Sequence, residues 1–129
     1  MQYLLLIYQA EAPGASAADD EAMASELAAY AAFTREARER NQFVAGEALA
    51  PTTGATSVRV HDGRVSVTDG PFAETKEALG GFYLLECRDL DEAIEMAAKI
   101  PAAKRGTVEV RPIWSLPAEY AAATGGGPS

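Results

Sequence analysis

The stretch that decides the fold is QYLLLIYQ, residues 2–9. It is too short for a stable helix and rich in residues that suit β-strands, so it predicts the first strand. Successive side chains of a strand point to opposite faces. Apolar side chains fall on both of them, with Tyr3, Leu5 and Ile7 on one face and Leu4, Leu6 and Tyr8 on the other. Such a strand requires cover on both sides of its sheet.

The other predicted elements follow in an alternating order. They are a helix ending near Arg40, a strand within 41–50, a hairpin over 56–70, a strand over 80–87, a helix stopped by Pro101, and a strand over 106–113. This order predicts an α+β fold, a ferredoxin-like βαββαβ plait with an inserted β-hairpin. Residues 1–114 form one domain. Residues 115–129 form a C-terminal tail that we expect to be partly mobile, since its Gly-Gly-Gly-Pro end has nothing to bury.

The hairpin TSVRVHDGRVSVTDG, residues 56–70, is the clearest local signal. Asp62-Gly63 between alternating residues predicts a two-residue type I′ turn. The predicted register pairs His61 with Arg64, Val60 with Val65, Arg59 with Ser66, and Val58 with Val67. Paired residues share a face, so this register gives the hairpin one dry valine face and one wet polar face.

Both helices carry an apolar stripe that predicts burial against the sheet. The predicted inward residues are Met23, Leu27, Tyr30, Phe33 and Ala37 on the first helix, and Leu90, Ala93, Ile94 and Ala97 on the second. Two helices cover only one face of a sheet, whereas the first strand is apolar on both. The sequence therefore predicts a homodimer in which the sheets of two copies pack face to face.

Composition excludes several classes of function. A length of 129 residues suits one domain, and a net charge of −8 argues against binding to nucleic acid or to anionic membrane surfaces. No apolar run approaches the ~18 residues of a membrane span. The single cysteine, Cys87, cannot form an intrachain disulfide, which fits a cytoplasmic location.

The usual catalytic side chains are scarce. His61, the one histidine, flanks the hairpin turn and is predicted to be solvated, while Cys87 lacks a nearby base and is predicted to be a buried structural thiol. One histidine and one cysteine do not make a zinc site, and the carboxylates lack calcium-loop spacing, so no metal is predicted. No phosphate-binding or dinucleotide glycine motif occurs, and no cofactor is predicted.

The segment TDGPFAETKE, residues 68–77, is the remaining candidate for chemistry. Asp69-Gly70-Pro71 is suited to a turn, because the aspartate can bond nearby amides, glycine accepts a positive φ and proline presets φ. A semi-buried Asp69 would also serve as a general acid or base if burial raised its pKa. The alternative is a solvated loop, in which Lys76 only forms a surface ion pair with Glu74 or Glu77.

The run VRVHDGRVSVTDGPFAETKEALGGFYLLE, residues 58–86, resembles the signature of the DGPF branch of the YCII-related family. The resemblance extends over about residues 1–114 and implies a dimeric α+β barrel. In shorter members of the family a helix histidine and a loop aspartate have been proposed as an active-site pair. Asp69 matches that aspartate, but the histidine position falls near Ala29 or Tyr30. The resemblance therefore does not transfer a His–Asp pair. Tyr30 has a hydroxyl that could hydrogen-bond Asp69, but the sequence does not show that the two residues meet.

The resemblance also implies a setting linked to extracytoplasmic-function sigma factors. We expect a small-molecule-binding or sensor dimer, with Asp69 as the leading functional residue. The expected ligand-binding residues are Tyr30, Pro71, Phe72, Thr75, Lys76 and Glu77. One alternative is a cofactor-independent enzyme that uses Asp69 as general acid or base. Another is a protein-interaction module that binds a sigma factor through the polar face of the hairpin.

Overall fold

The computed structural model describes residues 1–11 and 17–121. Its elements are β1 (Gln2–Gln9), α1 (Ala17–Glu39), β2 (Phe43–Ala48), β3 (Thr56–His61), β4 (Arg64–Asp69), β5 (Ala78–Glu86), α2 (Leu90–Ala98), β6 (Thr107–Pro112) and α3 (Ala118–Ala121). The predicted order is confirmed, and α3 is an addition to it. No helix within these ranges is both long enough and apolar enough to cross a membrane.

Four strands form one antiparallel sheet in the order β2-β5-β1-β6, and β3 and β4 form a separate two-stranded sheet. The larger sheet with α1 and α2 is the predicted ferredoxin-like plait. β1 is central and pairs with β5 on one side and β6 on the other. The apolar sequence of β1 suits this position, because a central strand is flanked by neighbours along its whole length.

The core lies on one face of the sheet, under both helices. Its buried residues are Tyr3, Leu5, Ile7, Phe33, Ala37, Tyr83, Leu85, Cys87, Ala93, Met96, Ala97, Ile100 and Ala102. The first three are the alternate residues of β1, so the predicted split of this strand into two faces is confirmed. The opposite side carries Leu4, Leu6, Tyr8, Phe82 and Leu84, all half-buried. We call this side the open face, because its side chains stay partly exposed while the alternate residues of the same strands are buried.

The predicted core stripe of α1 is correct only in its C-terminal half. Phe33 and Ala37 are buried and Tyr30 is half-buried, but Met23 and Leu27 are 58% and 60% exposed. The prediction was wrong for these two residues because the N-terminal half of α1 stands over a cleft and not over packed core. Helical spacing identifies a common face, but it does not show how closely the sheet approaches it.

The predicted stripe of α2 was also partly wrong. Ala93 and Ala97 are buried together with Met96, whereas Leu90 and Ile94 are about half exposed. The buried face is therefore rotated toward Glu92, whose carboxylate accepts a hydrogen bond from the Arg88 amide at 2.9 Å. The helix is capped by Asp89, whose Oδ1 accepts a hydrogen bond from the Glu92 amide at 2.9 Å.

The β3–β4 hairpin, which we call the arm, has the predicted register in every pair. Asp62 and Gly63 both have positive φ, as a type I′ turn requires. The prediction of a dry face was wrong within the single chain, because Val58, Val60, Val65 and Val67 are 61–68% exposed. His61 is exposed, as predicted.

The root of the arm is tied to the end of β1. Glu11 accepts hydrogen bonds from the Thr52 amide, at 2.8 Å, and from the Thr52 hydroxyl. These two bonds lower the pKa of Glu11. At the same root, the Gly70 amide donates to the Ala55 carbonyl at 2.7 Å. The two chain segments that lead into the arm are therefore fixed to each other and to the body.

The tail begins with the short helix α3. Residues 122–129 lie outside the described residues, so the mobility expected for residues 115–129 stays a prediction.

The buried carboxylate of Glu92 makes stability depend on pH. Hydrogen bonding from the Arg88 amide, above all, holds its pKa below the ordinary 4.5. A carboxyl with a lowered folded-state pKa contributes stability above its unfolded pKa and loses it as the pH falls through the folded pKa. We therefore expect Glu92→Gln to lose less stability than the wild type between about pH 5 and pH 3, measured by urea unfolding.

Glu95→Gln is the matched control, because Glu95 lies on the same helix but is exposed. The difference from the wild type between about pH 5 and pH 3 should be larger for Glu92→Gln than for Glu95→Gln. Parallel stability curves for the wild type and Glu92→Gln below pH 5 would contradict the prediction.

Candidate functional site

A cleft of about 530 Å³ opens between the N-terminal half of α1 and the β2–β5 side of the sheet. Its apolar lining includes Ile7, Met23, Leu27, Phe43, Ala48, Leu49, Gly80 and Gly81. The volume lies within the range of small-molecule sites, which are usually apolar clefts with a few placed polar groups. The exposure of Met23 and Leu27 is explained by this cleft, because they form its α1 wall.

The floor of the cleft depends on a glycine facing an aromatic ring. A Cβ on Gly46 would lie 2.7 Å from Cδ1 of Tyr83, so only glycine lets the ring lie across β2. The Tyr83 ring also packs against Phe33, with centroids 4.8 Å apart, and against Phe43 at 6.4 Å. Tilted and edge-on contacts of this kind favour a fixed ring orientation.

The polar residues of the cleft lining are Gln9, Glu26, Tyr30, Thr34, Arg38, Glu47 and Tyr83. The hydroxyls of Thr34 and Tyr83 are 3.1 Å apart, and either of them can be the donor. The Arg38 guanidinium stands 4.2 Å from the centroid of the Phe43 ring, a cation–π geometry. Arg38 makes no ion pair with the acidic side chains described in the structure. The cleft therefore has the positive charge of Arg38 and two hydroxyls within a lining that also includes the acidic residues Glu26 and Glu47.

Tyr30 lines the cleft and packs against the core. Burial, and then the nearby Glu26 carboxylate, raises its pKa. The phenol therefore stays protonated and is available as a hydrogen-bond donor. The Glu26 carboxylate itself forms an ion pair with the Arg105 guanidinium.

Asp69 lies elsewhere, at the end of β4, where its side chain is exposed. Its backbone pairs with Thr56, and the next residue, Gly70, has a φ of +96°. The Gly70 carbonyl accepts from the Ser57 hydroxyl at 2.9 Å. The turn is thus held by Ser57 and by the Gly70 backbone. No hydrogen bond joins Tyr30 to Asp69 in the described chain.

The rest of the motif surrounds the return of the arm to the sheet. Pro71, Phe72 and Lys76 are exposed, and Lys76 has no ion pair with Glu74 or Glu77 within the described residues. The Thr75 hydroxyl donates to the Glu77 carbonyl. The Glu77 carboxylate accepts from the Thr107 hydroxyl at 3.0 Å, which ties the motif to β6.

Of the predicted site residues, the structure places Tyr30 in the cleft lining and the other six on the motif, outside that lining. Sequence reasoning missed Thr34, Arg38, Gly46 and Tyr83. One signal was present, since Tyr30, Thr34 and Arg38 occupy positions i, i+4 and i+8 of α1 and so form a polar row on one face. Nothing local marks Gly46, because the ring that needs its space comes from β5.

Other reactive groups do not form a site in the described chain. Cys87 is buried as predicted, and burial followed by the charge of Glu92 raises the pKa of its thiol, so the thiolate is disfavoured. Among residues 1–11 and 17–121, no three histidine, cysteine, aspartate or glutamate side chains gather as metal ligands would.

The floor contact gives a direct test. Gly46→Ala forces the Tyr83 ring to move, because the new methyl cannot coexist with it, and overpacking of this kind costs about 1–3 kcal/mol. Denaturant unfolding should show that loss. Gly54→Ala is the control, since a Cβ there meets no atom within 4 Å. Equal stability of Gly46→Ala and the wild type would contradict the packing described for Tyr83.

Comparison with known proteins agrees with this architecture. The family model of the YCII-related domain matches residues 1–117. An uncharacterised protein of Rhizobium meliloti strain 1021 is 39% identical over 117 residues, covering 88% of this chain and 92% of that protein. A match over nearly the whole length of both chains extends beyond the motif to both helices and all six strands. The chain belongs to the YCII-related family.

Proposed function

We propose that this protein binds a small molecule in the cleft under α1 and acts as a sensor. The observation that carries the proposal is the lining itself, an apolar cleft whose polar groups converge from α1 and β5. Convergent polar groups in an otherwise apolar cleft are typical of ligand sites, since the apolar wall supplies affinity and the polar groups fix orientation.

The lining favours a ligand with an apolar or aromatic body and one anionic group. Arg38 supplies a positive charge without an acidic partner in the described chain, and a guanidinium binds a carboxylate through two parallel hydrogen bonds. The Thr34–Tyr83 hydroxyl pair and the Tyr30 phenol supply neutral donors. The aromatic rings of Phe43 and Tyr83 offer stacking surfaces for the body of the ligand.

The exposed position of Asp69 favours binding over acid–base catalysis by this residue. A general acid or base needs a site that excludes water or otherwise adjusts its pKa. Asp69 and Lys76 are exposed, and both lie outside the cleft lining. An enzyme that works through Asp69 would need its substrate on the arm, where the described chain has only an open surface.

The sigma-factor setting implied by the family resemblance is part of the proposal, as is a cytoplasmic location, which suits the single buried thiol of Cys87. An interaction module is the second candidate function, because the arm projects its polar face, with Arg59, His61 and Arg64, into solvent. Co-purification with a sigma factor at micromolar concentration, lost when Arg59 is changed to Glu, would support this candidate.

We also propose that the protein is a homodimer, formed by packing two open faces together. The open face places Leu4 beside Leu84 and Leu6 beside Phe82 in adjacent strands. These apolar pairs lie in the two central strands of the sheet, and their side chains are only half-buried in the described chain. When two sheets pack face to face they lie about 10 Å apart, and such side chains are buried between them, as in the core of a β-sandwich.

Ligand binding is tested by a thermal-shift screen of aromatic and aliphatic carboxylic acids, each beside its neutral amide. A ligand at about 100 times its dissociation constant adds ~2.7 kcal/mol of stability, a shift of several degrees for a domain of this size. We expect acids to shift the wild type and to lose at least tenfold in affinity for Arg38→Gln.

Two variants act as controls in this screen. Arg35→Gln removes a charge from the same helix outside the cleft lining, and Asp69→Asn alters the motif. Both should respond to the acids like the wild type. A response that survives Arg38→Gln but disappears in Asp69→Asn would move the site to the motif and contradict the cleft assignment.

The homodimer is tested at the centre of the open face. Leu6→Lys places a charge there, next to the cross-strand Glu109, so the single chain tolerates it while a second sheet does not. Analytical ultracentrifugation should show the dimer dissociation constant rising at least 100-fold. Ala28→Lys, on an exposed part of α1, should leave it unchanged. A dimer that resists Leu6→Lys, with its fold confirmed by circular dichroism, would contradict this interface.

A further inference from the structure

The arm presents an apolar face without a partner. Val58, Val60, Val65 and Val67 lie side by side on it, and no element of the described chain buries any of them. The strand pairing of the arm is confined to its own two strands. A two-stranded hairpin is at best marginally stable in water unless one face packs against something else. The valine face is therefore a surface that requires cover.

The size of this surface places it among functional patches. The four valines are 61–68% exposed and together present roughly 400 Å² of surface, within the range of the largest apolar patch of a monomer. If each of two arms buries half of that against an equal area of the partner, roughly 800 Å² of total surface is removed from water, so the arm contact adds to a larger interface.

We propose that the valine face of the arm packs against the body of a second copy of this chain. The inference rests on the homodimer proposed above and adds a second contact to it. The described chain has two incompletely covered apolar surfaces, the half-buried open face and the exposed valine face. In a twofold dimer each chain both gives and receives an arm, so one association covers both surfaces.

The charge of the arm is compatible with such a partner. Residues 56–69 contain Arg59 and Arg64 against Asp62 and Asp69, so the arm has no net charge, whereas the whole chain has a net charge of −8. The arm therefore adds no negative charge when it approaches the acidic body of another copy, which keeps the repulsion between the two copies low at this contact. The Glu11–Thr52 bonds fix the root of the arm, which reduces the entropy that docking would cost.

The test compares two cross-strand pairs on opposite faces of the arm. Val60→Thr with Val65→Thr removes the apolar character but keeps β-branched side chains. Arg59→Thr with Ser66→Thr makes the same pair on the polar face. We expect the first pair to raise the dimer dissociation constant at least tenfold and the second to change it less than threefold, by analytical ultracentrifugation.

Hydroxyl-radical footprinting of the wild type gives a measurement that does not depend on a variant folding. Oxidation of Val60, Val65 and Phe72 should fall at least threefold as the protein is concentrated through its dimer dissociation constant. Arg38→Gln, which affects the ligand site alone, should leave this protection intact.

Three results would overturn the inference. A wild type that stays monomeric at 100 times the concentration used in the ligand screen would rule out both the arm contact and the homodimer, but not ligand binding. A dimer sensitive to Leu6→Lys, with the arm oxidised equally at all concentrations, would leave the open-face interface and remove the arm contact. Protection of the arm that is independent of concentration would mean that it docks on its own chain.

Discussion

The whole structure depends on one constraint, a central strand that is apolar on both faces while its two helices lie on one side. Tyr3, Leu5 and Ile7 are covered by α1 and α2, which leaves Leu4 and Leu6 on the open face. In water, half-buried leucines of a central strand lack part of the burial that is worth ~25 cal/mol for each Å² of apolar surface. The fold of the described chain therefore leaves apolar surface on this side of the sheet that a second layer would bury.

The same face that holds the core also contains the cleft, and the two features share residues. Tyr83 packs against Phe33 and Phe43 as a core residue, yet its hydroxyl reaches Thr34 at the floor of the cleft. The C-terminal half of α1 is fixed by Phe33 and Ala37, while its N-terminal half stands away from the sheet. A rigid floor beneath a less packed wall is a common basis for ligand sites, because the floor holds the geometry and the wall adapts.

Much of the fold could be predicted from the sequence where the signals are local. The arm register follows from Asp62-Gly63 and from alternation, both of which act over a few residues, and every predicted pair is present. The helix stripes were less informative. Met23 and Leu27 have core spacing but face a cleft, because spacing carries no information on the distance to the sheet. Ile94 is exposed because a hydrogen-bonded Glu92 takes the inward position. A hydrophobic pattern assigns carboxylates to the solvent side of a helix, so it does not predict a buried Glu92.

The site was harder to predict because its residues meet only through the sheet. Gly46 and Tyr83 come from β2 and β5, and the need for glycine appears only when the ring is in place. The motif attracted attention because it concentrates charged and hydroxyl side chains in one segment. The contacts of that segment are structural, since they hold a turn and join the segment to β6. Ser57 holds the Gly70 turn, and Glu77 joins Thr75 to Thr107 of β6.

A long polar motif is what the return of a projecting hairpin requires, since each exposed turn needs its backbone groups bonded. The arm leaves the sheet next to Leu49 and Gly80, whose backbones are joined by a 2.9 Å hydrogen bond and which both line the cleft. The motif thus closes the base of the arm, and the arm joins the sheet at the edge of the cleft. A change in the packing of that edge therefore affects both the arm and the cleft.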